Sequence, residues 1–190
     1  MNVKNLNLIC LSICMLFQIG DAASEMRFET RSRGTEKTRA MIDSVVSQFL
    51  REAFILNRME IQLAMLATKK AEREEVKLFA DKALAYHNRM GADLKKLADN
   101  NKISYKDELD GDCKDGIDKL SRISGPLFEK RYLTLSEDNH QKMLQIYRKT
   151  LPGLEDVRLK SFISSSIPFL ETHNASLRLL IKSAKATSKL

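Results

Sequence analysis

Tryptophan is absent from this chain of 190 residues, proline occurs three times and glycine seven times. So few chain breakers exclude a fold assembled from many short strands and tight turns. Cysteine is nearly absent as well. Two of the three, Cys10 and Cys14, lie in an N-terminal apolar run, so only Cys113 remains beyond it. A chain that has lost that run cannot form an internal disulfide, and Cys113 reads as an incidental loop cysteine ahead of a reactive or dimer-forming thiol. No segment beyond the first twenty residues is apolar for long enough to span a bilayer, and no alternation of the kind used by barrel strands is present. Alanine, leucine, lysine and glutamate are abundant instead, which favours an all-helical protein. About 150 residues bury roughly 70% of their unfolded surface, so neither a disulfide nor a metal is required for folding.

The N-terminus has the layout of a signal peptide over residues 1–22. Lys4 supplies the charge, Leu6 to Ile19 the short apolar core, and Gly20-Asp21-Ala22 the small residues of a cleavage region. Cys10 and Cys14 each follow isoleucine, where a lipoprotein signal wants a small residue. The expected location is therefore exported: periplasmic or associated with the outer membrane without a lipid anchor. Lys4 and Asp21 cancel, so removal of the segment keeps the net charge at +7. Residues 23–38 show no apolar period and read as a flexible leader.

Residues 39–187 read as one domain of four long helices. In the first, to about Ala71, Ile42, Val46, Phe49, Ala53, Leu56, Leu63, Ala64 and Ala67 share a face, with Glu60 at its centre. The second runs from about Arg73 to Asn100. Val76, Ala80, Ala83, Leu84, Gly91, Leu94 and Ala98 line one side of it around His87. The acidic run DELDGDCKDG follows. Lys114 and Asp115 stand where a calcium loop wants a ligand and a glycine, so it reads as a solvated connection before a short helix, about Lys114 to Ile123. The third helix spans about Pro126 to Thr150, with Ser124 as cap. Leu133, Met143, Leu144, Tyr147 and Leu151 form its stripe, with His140 central and Glu129 and Glu137 flanking. The fourth spans about Leu154 to Ala186, with Leu159, Phe162, Phe169, Leu170, Leu177 and Leu180 around His173. Pro168 is expected to kink it, with Ser164, Ser165 and Ser166 satisfying the carbonyl that proline leaves free. Asn174-Ala175-Ser176 matches a glycosylation sequon on a helix. Short first and last connections and a middle one of more than twenty residues imply a ferritin-like four-helix bundle with a long connection between helices two and three, up-down-up-down order being the alternative.

A titratable residue at the centre of every stripe is the informative pattern, because burying one without a partner costs about 1–3 kcal/mol. Heights counted at 1.5 Å per residue put Glu60, His87, Glu137 and His140 within roughly 7 Å of one level, and His173 about 13 Å away beside Glu129 and Tyr132. Two readings stand. The first is a divalent transition-metal site from Glu60, His87, Glu137 and His140, in which Glu137 and His140 supply one Glu-x-x-His pair. The second is a structural polar layer, with His87–Glu60 and His173–Glu129 as hydrogen-bonded pairs that fix register. A full di-iron set is absent, since residues 84 and 170 are leucine where a second such pair wants glutamate.

Four runs carry a resemblance: FLREAFILNRMEIQLAMLATKKA, EVKLFADKALAYHNRMGADLKKLA, LSRISGPLFEKRYLTLSEDNHQKMLQIY and IPFLETHNASLRLL. With Gly125, Phe128, Glu129, Tyr132 and Leu133 in one motif and Pro168, Leu170 and His173 in another, the chain from about Ser47 to Ala184 resembles the exported domain-of-unknown-function 4142 family. The resemblance implies export and a ferritin-like bundle, and no agreed activity. Relatives carry Asp-His where this chain has Tyr86-His87 and Asn139-His140, and aspartate where it has Glu129, so two carboxylates are missing here.

Without a nucleophile–base pair, a structural or interaction role in the cell envelope is expected ahead of catalysis, with a metal-binding stress-protection module as the alternative. Export argues against nucleic acid as a partner. The basic surface, including Lys182, Lys185 and Lys189, is expected to give at most weak attraction to anionic envelope components.

Overall fold

An apolar residue at every third or fourth position turns one stripe of each long segment inward as a helix. The computed structural model describes residues 21–105, 108–109 and 111–187, which contain helices and no strand. Helix α1 is Asp21–Lys70, α2 Glu74–Asn100, α3 Gly111–Ser121, α4 Gly125–Thr150 and α5 Val157–Thr187, with a 3-10 turn at Leu151–Gly153. The expected signal peptide lies outside the described residues except for its last two. Residues 23–38, expected to be a flexible leader, are helical and belong to α1. The chain divides into a unit up to Asp43 and a second from Ser44, which is the bundle.

One end of the bundle fixes its order. Lys70 donates to the Ser121 carbonyl at 2.5 Å, and Arg73, just before α2, donates to Glu129 near the start of α4 at 2.6 Å and to Ser183 near the end of α5 at 3.2 Å. Thus α4 starts where α2 starts, and α5 ends there. Residues 44–70 of α1 run parallel to α5, and α2 runs parallel to α4. Residues 101–124, with α3 among them, carry the chain back along the bundle. This is two hairpins joined by a crossover, the ferritin-like arrangement. Between the helices lie Leu50, Ala53, Leu63, Val76, Ala80, Leu94, Leu133, Met143, Leu159, Ile163, Leu170 and Leu177, all buried.

Glu129 joins the two hairpins. It is 4% exposed, and its carboxylate accepts the backbone N–H groups of Glu72 and Arg73, each at 2.7 Å, as well as the Arg73 guanidinium. Burial works against its ionisation. The Arg73 backbone and side chain and the Glu72 amide outweigh that and hold its pKa below the ordinary glutamate value. A negative charge at the start of α2 also suits the helix dipole. The partner expected for Glu129, His173, is elsewhere. Glu129→Ala strands two amides and a guanidinium and is expected to cost about 2–3 kcal/mol, a drop in melting temperature of roughly 4–10 °C for a domain of this size; Glu129→Gln, which keeps an acceptor, recovers part of it. Thermal unfolding followed by circular dichroism measures both.

Local signals differ from expectation in three places. Ser124 occupies the N-cap of α4 without a side-chain capping bond. Its neighbour Gly125 has φ of +64°, a left-handed conformation that glycine adopts without strain. The capping role belongs to Asp156, whose carboxylate accepts the N–H groups of Arg158 and Leu159 at 2.8 and 3.1 Å at the start of α5. Helix α5 continues through Pro168, and the hydroxyls of Ser165 and Ser166 both donate to the Phe162 carbonyl, not to that of Ser164.

Candidate metal centre

The stripe centres of α2, α4 and α5 converge. His87, His140 and His173 are all buried, at 0, 0 and 8% exposure, and one nitrogen of each lies within 4.8 Å of the others. The ring centres of His140 and His173 are 5.7 Å apart, and those of His87 and His173 6.3 Å. His173 therefore does not stand about 13 Å away beside Glu129. A count of residues from the last loop overlooks the 3-10 turn and the nonhelical residues 154–156, which slide α5 along α4.

Two of the three rings are locked by their outer edges. His140 Nδ1 lies 2.8 Å from the Ser136 carbonyl, which only accepts, so Nδ1 carries a proton. Asn57 donates from its amide nitrogen to the His87 carbonyl at 3.0 Å, which directs its amide oxygen to His87 Nδ1 at 2.9 Å and makes that nitrogen a donor too. When neutral, each ring presents the lone pair of Nε2 inward, and these two nitrogens are 3.4 Å apart. Two acceptors facing each other need a proton or a cation between them. Two imidazole nitrogens on one tetrahedral ion, at 2.0–2.1 Å each, are about 3.3 Å apart. His173, whose Nδ1 is buried with no hydrogen-bond partner, stands close enough to both rings to be the third donor of such a set.

Glu60 stands behind this centre. It is fully buried and accepts from Ser136 Oγ at 2.7 Å and Asn139 Nδ2 at 2.8 Å, with His140 Nδ1 3.5 Å away. It touches the protonated edge of the ring, so it orients His140 from outside the ligand set, the usual place of a carboxylate behind a metal-bound histidine. Its expected partner His87 is held by Asn57 instead. Glu137 is not at the centre. It lies three residues before His140, about 60° off the stripe, is partly exposed, and receives Arg178 of α5 at 3.0 Å and Gln141. The candidate ligand set is thus the three imidazoles, with Glu60 outside it.

Sequence reasoning overlooked Asn57 and Ser136, and read Asn139 only as a missing carboxylate, not as a donor to Glu60. All three lie on the inward stripes, but short polar side chains there look like surface residues unless their partners are known. Asn57 also explains Gly91: a β-carbon at residue 91 would lie 3.0 Å from its amide nitrogen. Asn174, of the sequon, is buried.

Charge is unevenly distributed over the three rings. Burial, then the proximity of His140 and His173, holds His87 well below its ordinary pKa. Burial, His140 and Lys82 hold His173 down at about 4. Burial opposes charge on His140 as well, but the Glu60 charge and hydrogen bond and the Ser136 carbonyl raise it above the usual value. The unfolded chain thus takes up protons on His87 and His173 below pH 6.5 that the folded one refuses. Stability of the metal-free protein is expected to fall as pH drops from 6.5 toward 4, by about 1.4 kcal/mol per unit for a fully excluded histidine. His173, wetter at its edge, contributes less. The His140 contribution has the opposite sign, being complete below 6.5 and lost above its raised pKa. Urea unfolding across this range tests the slope, and His87→Gln should flatten it.

Comparison with known proteins agrees with this architecture. A family model described as "Domain of unknown function (DUF4142)" matches residues 31–180. None of the curated proteins matches. Among solved structures, the chain is similar to the crystal structure of a DUF305 fragment from Deinococcus radiodurans, at 12% identity and a TM-score of 0.64, over 73% of this chain and 96% of that one. At that identity the likeness concerns the fold alone.

Proposed function

The chain belongs to the DUF4142 family, and we propose that it is an exported bundle protein that binds one late first-row transition-metal ion, Zn²⁺ or Cu²⁺, through His87, His140 and His173. The observation that carries this reading is the 3.4 Å gap between two Nε2 atoms whose rings are both fixed with Nδ1 as donor. Three imidazoles without a carboxylate suit zinc, copper or nickel better than magnesium, calcium or manganese. Glu60 and Asn57 set the tautomers and orient the rings. Export is supported by the N-terminal charge, apolar run and small residues. Among the described residues no helix is long and apolar enough to cross a membrane. The net charge of +7 supports weak, salt-sensitive attraction to anionic envelope components.

The test is metal content by mass spectrometry on protein purified without a histidine tag, followed by titration with Zn²⁺ or Cu²⁺. One equivalent per chain and a raised melting temperature are expected. Absence of bound metal together with an unchanged melting temperature under excess zinc and copper overturns the proposal. It would leave the second reading, favoured by the raised His140 pKa: a proton shared between His140 and His87 Nε2, and a purely structural polar layer in an envelope protein.

A further inference from the structure

We infer that the seam between α2 and α5 is the port of this centre and that the stacked Tyr86–Phe169 pair is its gate, leaving the fourth coordination position to a small monodentate anion. The inference rests on the metal-binding reading above.

A tetrahedral ion on three histidines has one vertex left, and among the described residues no fourth histidine, cysteine or carboxylate joins the cluster. Two sides are closed. Asn57 and Glu60 seal the α1 side with their hydrogen bonds, and Ser136 and Asn139 seal the α4 side. His87 and His140 have no exposed surface at all, whereas His173 keeps 8%. That remaining exposure places the way in beside α5.

Two half-buried rings stand there. Tyr86 of α2 and Phe169 of α5 are stacked within 9° of parallel. The Phe169 ring centre is 4.1 Å from that of His173, and Tyr86 meets His87 edge-on at 5.4 Å. The Tyr86 hydroxyl faces Ser166 across the seam, an interaction that works against the rise of its pKa by burial, and it would serve the gate as a latch. Its α5 half also has a weak backbone. Pro168, immediately before Phe169, cannot donate to the Ser164 carbonyl, and the nearby serine hydroxyls are committed to Phe162. Phe79, the other ring beside His173, is almost fully buried and part of the core cluster, so it cannot serve as the door.

The probe is the Co²⁺-loaded protein, whose visible bands report the coordination of the ion. Azide should shift the wild-type spectrum saturably, while benzoate should leave it unchanged. Phe169→Ala should admit benzoate and lose Co²⁺ to excess EDTA about tenfold faster, with equilibrium affinity little changed. Tyr86→Phe, which removes only the latch, should accelerate release several-fold, and Val157→Ala, on an exposed residue far along α5, should not. Stoichiometric Co²⁺ with an azide-insensitive spectrum, or with release rates equal in wild type and Tyr86→Phe, overturns the gate alone. Failure to bind Co²⁺ at all overturns the metal reading and the gate with it. Tyr86→Phe is nearly isosteric and keeps the experiment decisive should Phe169→Ala fold poorly.

Discussion

His140→Ala is expected to abolish the stabilisation that zinc or copper would give the wild-type protein through the three-histidine site. With metal at 100 to 1,000 times its dissociation constant, binding to the folded state alone adds about 2.7–4 kcal/mol, a rise in melting temperature of roughly 6–16 °C for a domain of about 150 residues. The alanine variant retains His87 and His173, but it loses the ring whose two edges are both committed. Its Nδ1 is tied to Ser136, and its Nε2 faces His87. The wild-type gain should fade as pH falls through the His140 pKa, because Glu60 favours a proton on that ring and metal must displace it. Differential scanning calorimetry with and without metal at pH 8 and pH 5.5 measures all of this. Equal stabilisation of wild type and variant removes His140 from the ligand set. His140→Gln restores a donor but no metal response, so it separates the loss of the hydrogen bond from the loss of the ligand.

Glu60→Ala is expected to be the most damaging single change outside the apolar core. It leaves the Ser136 hydroxyl and the Asn139 amide without their acceptor in a region with no exposed surface at Glu60, Ser136 or His140. Removing one member of such a buried charged network costs about 3–5 kcal/mol, or a melting temperature lower by roughly 6–20 °C. The same change weakens metal binding at pH 8 by about 10- to 100-fold, because the group that orients His140 is gone. Glu60→Gln fills the space and keeps one acceptor, so it should recover stability more than affinity. Chemical denaturation and a competitive zinc titration read the two quantities separately. A variant with normal stability and normal affinity would show that the carboxylate is solvated and idle.

Why Glu60, His87 and His140 were visible in the sequence while the true arrangement was not follows from what periodicity encodes. A 3.6-residue repeat states which way a side chain faces, and all three face inward. It does not state how far one helix slides along the next. His173 was misplaced for that reason, since its level depends on a 3-10 turn and three nonhelical residues that no repeat announces. Glu137 shows the complementary limit. It shares a helix with His140 at the right spacing for a ligand pair, yet an arginine on the neighbouring helix claims it. The crossover was legible as an unusually long middle connection. Its direction became definite only through Glu129, which ties the start of α4 to the start of α2.

That crossover has a consequence for the order of folding. Each hairpin, α1–α2 or α4–α5, is closed by a short connection and can form from neighbouring segments at little entropic cost. His140 and His173 belong to the same hairpin, whereas His87 arrives with the other and is 53 residues from His140 in sequence. The second hairpin alone would offer a bidentate grip on an ion, and the first would supply the closing donor when the halves dock. An ion captured early would act as a template for docking, speeding the late, long-range step while leaving each hairpin's own formation untouched. Stopped-flow refolding with and without zinc would then differ only in its slow phase.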